Sequence, residues 1–170
     1  IAPARSRIIA RLLAAALLIL AILLPSAFVS RQAHLNTSNF SFPALVENSR
    51  AGKLTFVYFT ADWCPNCFAV EKLTLSSDRV AAALEKHQVA IMKADITEPG
   101  TEAQALLEKL GSRSIPFAAV FPAGAQFSAP VALRDIYTPD ELISAIEQAA
   151  ARSEQGSEPV TEGFIQFNEK

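Results

Sequence analysis

Apolar side chains are unevenly spread along this chain. From Leu12 to Ser30 no side chain is charged, and Leu12 to Leu24 is wholly aliphatic. As a helix this stretch reaches about 28 Å, close to the depth of a hydrocarbon core. Farther on, Leu54 to Phe59 is a continuous apolar and β-branched run, which predicts a central strand covered on both faces. Val89 to Ala94 and Phe117 to Phe121 repeat the pattern. Pro122-Ala123-Gly124 then predicts a tight turn into another strand at Val131 to Leu133.

Helical patterns separate these strands. Pro65 to Leu75 and Ser77 to His87 have helical composition, the second with Val80, Ala83, Leu84 and His87 on one face. Thr101 with Gln104 forms a capping box that opens a helix, and Gly111 closes it. Thr138-Pro139-Asp140-Glu141 combines an N-cap, Pro at the first helical position and Glu at the third. The predicted order is helix, β, α, α, β, α, β, β, α. This is an α/β fold with a mixed central sheet flanked by helices and preceded by one transmembrane helix. No internal repeat is visible.

The charges around the first apolar run orient it. Arg5, Arg7 and Arg11 precede it and only Arg31 follows closely. The positive-inside bias then places the N-terminus in the cytoplasm and the rest of the chain outside, in the periplasm or its equivalent. The competing reading is a cleavable signal peptide, but around Pro25 to Ser30 the paired small residues of a cleavage site are missing. Residues 1–11 are thus a basic flank, 12–30 a membrane span, 31–42 a linker, 43–151 the folded domain and 152–170 a polar tail. Residue 1 is Ile, so the chain is expected to be a piece of a longer reading frame.

Composition narrows the choices further. With 170 residues there is room for one domain of ordinary size. A formal net charge of -2 and no Lys/Arg cluster interleaved with aromatics exclude a nucleic-acid surface.

The candidate chemistry lies in Cys64-Pro65-Asn66-Cys67, which follows a predicted strand, opens a predicted helix and holds the chain's only cysteines. Pro65 fits the first helical position, which makes Cys64 the N-cap. Its sulfur then looks onto the unpaired amides of the first turn, where a thiolate is favoured. Cys67 falls one turn on, close enough to close a four-residue ring that opens readily. These positions make Cys64 the nucleophile and Cys67 the resolving thiol. A zinc site lacks ligands, since only His34 and His87 could join the cysteines. A purely structural disulfide is disfavoured because so short a loop removes little chain entropy. The expected equipment is the dithiol itself, with no metal and no other cofactor.

Thr60-Ala61-Asp62-Trp63-Cys64-Pro65-Asn66-Cys67, with Ser114-Ile115-Pro116 ahead of a later strand, resembles the thioredoxin superfamily. Ala61-Asp62-Trp63-Cys64, Glu71 and a preceding apolar helix most resemble the C-terminal periplasmic domain of DsbD-type transmembrane thiol:disulfide interchange proteins. The resemblance implies a cis peptide at Pro116 beside Cys64, with Ile115, Pro116, Trp63 and Pro65 forming the surface that holds a partner's strand. It also implies a proton-relaying role for Glu71, one helical turn beyond Cys67. Two residues depart from the family pattern. Tyr58 stands where a buried Asp usually helps deprotonate the resolving cysteine, and Phe68 replaces a frequent Lys.

The expected function is that of a membrane-anchored thiol:disulfide oxidoreductase on the periplasmic side of a bacterial inner membrane, reducing disulfide-bearing periplasmic proteins. The resemblance implies that an upstream polytopic membrane domain restores the electrons. The alternatives are an anchored oxidase or isomerase, a cytochrome c maturation factor, and a binding module without turnover.

Overall fold

The computed structural model describes residues 36–155, and within them the apolar run around Phe56 becomes the middle of a five-stranded sheet. The basic flank, the span over 12–30, His34 and most of the polar tail lie outside the described residues. Among the described residues no helix is long and apolar enough to cross a membrane.

The strands are β1 (Thr37–Asn39), β2 (Thr55–Thr60), β3 (Ala90–Asp95), β4 (Phe117–Phe121) and β5 (Val131–Arg134), in the spatial order β1-β3-β2-β4-β5. β3 runs parallel to both β1 and β2, whereas β4 is antiparallel to β2 and β5 to β4. The sheet is therefore mixed. Its helices are α1 (Phe42–Arg50), α2 (Pro65–Val70), α3 (Asp78–Lys86), α4 (Glu102–Lys109) and α5 (Pro139–Gln155).

Strand alternation sorts the core into two layers. Phe56 and Tyr58 of β2, with Ala118 and Val120 of β4, face the layer that holds Val70, Val80, Leu84, Leu142 and Ile146. Val57 and Phe59, with Phe117, Ala119 and Phe121, face the layer of Leu45, Leu106 and Leu107. With both faces covered, β2 has no polar side, which is why it reads as an unbroken apolar run.

Three expectations are corrected. Residues 36–42, expected as linker, hold β1 and the start of α1. Thr37-Ser38-Asn39 has no apolar signal and is fixed by backbone pairing to Ile91, Met92 and Lys93, while Ser41 caps α1 by accepting from the Ala44 amide at 3.4 Å. The folded unit therefore begins before residue 43, and α5 carries it to Gln155. Second, Pro122-Ala123-Gly124 does not make a tight turn. A 3-10 helix (Gly124–Ser128) intervenes, because Phe127 is buried against Phe121 with ring centroids 5.2 Å apart. Third, the helix expected over 65–75 changes pitch, with a π turn over Glu71–Leu75 in which the Ser76 amide and hydroxyl both donate to the Glu71 carbonyl.

The predicted caps appear in altered detail. Glu141 and Thr138 bond reciprocally, as a capping box requires. Gln104 donates its amide to Thr101 but accepts with its side chain from Gly100. Gly111, at φ 74°, ends α4 where a side chain would be strained.

Candidate functional site

The site is built where β2 ends. Ile96 N donates to the Thr60 carbonyl, so the β2–β3 ladder holds until the chain turns. The turn is pinned across strands: Asp62 N donates to Thr97 Oγ1 at 3.0 Å, and Thr97 N to Asp95 Oδ1 at 2.9 Å. Thr97 holds the Asp95 carboxyl below its ordinary range by donating to it, its hydroxyl contributing most and its amide next. Cys64 N then donates to the Ala61 carbonyl, and α2 begins at Pro65.

Cys64 is the N-cap, in extended conformation, and its Sγ accepts from the Cys67 amide at 3.1 Å. The two cysteines form a disulfide with Cα atoms 5.4 Å apart. Cys64 is 7% and Cys67 2% exposed, and both pack with Ala61, Ile96 and Ile115. The Ile115-Pro116 peptide is cis, and Pro116 is buried. The structure therefore joins Cys64, Cys67 and Ile115 in one cluster, with Pro116 next in the chain. Trp63 is 61% exposed beside it, its Nε1 donating to the Thr97 carbonyl at a long 3.4 Å, and Pro65 is exposed at the helix start. Phe68 is 62% exposed, with Lys72 Nζ 5.5 Å from its ring centroid.

Glu71 lies one turn beyond Cys67, to whose carbonyl its amide donates. It is half-buried at the start of the π turn, within electrostatic reach of two phenols. Burial, reinforced by the Glu71 charge, pushes the Tyr58 hydroxyl up to about 12, against the opposing hydrogen bond of the Thr37 side chain. Burial likewise raises the Tyr137 hydroxyl above its ordinary value, with Tyr58 and Glu71 adding to it. Tyr58 is thus held neutral and is no base.

Sequence reasoning missed Ile96 and Thr97. Asp95-Ile96-Thr97 carries the signature of a side chain bonding the amide two residues on, a signal that was open to be found. After Arg134 the strand ends, the chain turns at Asp135 (φ 59°), and Ile136 is exposed. Among the described residues no group of three or more His, Cys, Asp or Glu stands close enough to hold a metal.

Residues 41–123 match the family model described as thioredoxin-like. This stretch is a thioredoxin-like domain. Among curated proteins, the thiol:disulfide interchange protein DsbD of Ralstonia nicotianae is 31% identical over 98 residues, covering 58% of this chain and 16% of that protein. The chain thus matches a small part of that relative's length. Among solved structures, a thioredoxin from Thermus thermophilus superposes with a TM-score of 0.56 at 20% identity, over 70% of this chain and 89% of that one. This likeness shows the thioredoxin-like fold. The oxidised DsbD C-terminal domain of Neisseria meningitidis gives a TM-score of 0.49 at 24% identity, over 66% of this chain and 98% of that one.

Proposed function

We propose that the thioredoxin-like domain is a thiol:disulfide oxidoreductase that reduces disulfides of partner proteins. The observation that carries this reading is the Cys64–Cys67 bond at the end of the central strand, with Cys64 Sγ on a helix amide and Cys67 beneath it. In the dithiol form the Cys64 thiolate attacks one sulfur of a partner disulfide, and the other leaves as a thiolate. Cys67, deprotonated, attacks Cys64 Sγ and expels the partner's second sulfur. The partner gains two electrons and two protons, and the domain is left with its own disulfide.

Glu71 is the group we assign to the Cys67 proton, because Tyr58 is held neutral. Trp63, Pro65, Ile115 and Pro116 form the contact surface for the partner strand. Similarity to DsbD supports a periplasmic setting, disulfide-bearing periplasmic proteins as partners, and a polytopic membrane domain passing electrons from a dithiol donor. The apolar run over 12–30 supports anchoring in the bacterial inner membrane.

The test is a Cys67→Ser variant expressed in the periplasm. It should accumulate mixed disulfides through Cys64 that dissolve on reduction. A folded variant that captures nothing would overturn the reading.

A further inference from the structure

Beside the disulfide lies a cavity of about 340 Å³. Trp63, Ile96, Pro99 and Leu107 give it an apolar lining. Three of its lining residues tie it to the cysteines: Trp63 immediately precedes Cys64, Ile96 packs against both, and Arg113 lies two residues before Ile115 of the same cluster. The volume lies within the range of small-ligand sites.

Two exposed side chains of opposite charge stand at this cavity. Glu108 and Arg113 both line the cavity, yet they form no ion pair with one another. Among the described residues, Glu108 Oε1 accepts from the Gln104 side-chain amide, at 3.3 Å. The Arg113 guanidinium has no hydrogen-bond or ion-pair partner among the described residues. One cation and one anion, not paired with each other and set beside an apolar lining, complement a ligand that carries both an ammonium and a carboxylate on a short stem.

We propose that this cavity binds the α-ammonium-carboxylate head of a low-molecular-weight amino-acid disulfide and presents its sulfur to Cys64. Arg113 takes the carboxylate and Glu108 the ammonium. The proposal rests on the redox reading above. Its chemistry balances in the same way: the dithiol supplies two electrons and two protons, the ligand's S–S bond is cleaved, and two small thiols leave. Cystine and glutathione disulfide share this head group and differ in how far it lies from the sulfur.

The test is single-turnover oxidation of the full chain, reduced beforehand and freed of reductant. It is mixed separately with cystine, glutathione disulfide and bis(2-hydroxyethyl) disulfide, which lacks the head group. At least one amino-acid disulfide should show saturation that the hydroxyethyl compound does not, and which one does so identifies the source. Arg113→Gln and Glu108→Gln should each raise its half-saturating concentration about tenfold or more. The limiting rate and the hydroxyethyl reaction should stay unchanged. If the hydroxyethyl compound reacts and the amino-acid disulfides show no preference, the cavity reading falls while the redox reading stands. Equal slowing of all three in the variants also overturns it, as a merely structural effect. If none of the three oxidises the dithiol, both readings fall.

Discussion

The Thr74 hydroxyl donates to the Tyr137 carbonyl at 2.7 Å, and the pair is buried. It ties the π turn behind the cysteine helix to the segment between β5 and α5. Thr74→Val preserves shape but leaves a buried carbonyl without its donor, at a cost of about 1–3 kcal/mol. The urea midpoint should fall at constant slope, and an unchanged midpoint would show that the bond contributes nothing.

The alkaline behaviour of the chain follows from its 2 tyrosines. In the unfolded chain both ionise near pH 10, whereas in the fold Tyr58 is pushed up to about 12 and Tyr137 is raised as well. Their contribution to stability is present below the unfolded value and is lost as pH rises through the folded one. Native protein should therefore show no tyrosinate absorbance step near pH 10. Ionisation should appear together with loss of circular dichroism, and a separate step in folded protein would refute this.

Glu71 and Tyr58 divide under mutation. Glu71→Gln should slow resolution of a preformed Cys64 mixed disulfide on the order of 10²-fold. Tyr58→Phe removes a hydroxyl bonded to Thr37 and should leave that step unchanged. Rapid-quench trapping of the mixed disulfide separates the two, and the opposite pattern would assign the proton to the phenol.

At the acid end the informative pair is Thr138 and Glu141. The Thr138 amide, chiefly, and its hydroxyl lower the Glu141 carboxyl below its ordinary range. That support is present above the unfolded carboxyl value and is lost as pH falls through the depressed one. Thr138→Ala should cost about 1 kcal/mol at neutral pH through the lost cap. Because alanine keeps the amide and loses only the hydroxyl, it should flatten the acid limb of the stability profile in part, and a parallel shift of the whole profile would count against the pairing.

The two buried layers explain which elements were legible. Strands covered on both faces appear as apolar runs, and the limits expected for β2 and β3 lie one residue from those observed, while β4 coincides. β1 left no trace because Thr, Ser and Asn carry no apolar pattern and are held at a sheet edge by backbone pairing and side-chain hydrogen bonds. α1 had a start signal in Ser41 and Pro43, but only Leu45 and Ser49 are buried in it, too few to set a period. At the site, the cysteine geometry was readable because capping is local. Thr97 bonds a residue 35 positions away, so its role depended on the register of β2 against β3.

Since Cys64 follows directly from the innermost strand, its sulfur is anchored to the part of the molecule that opens last. Fraying at the rims, where β1 and β5 have one neighbour each, would leave the chemistry untouched. On gradual heating, dithiol reactivity and tertiary structure should vanish in a single event, with no inactive but folded species between them.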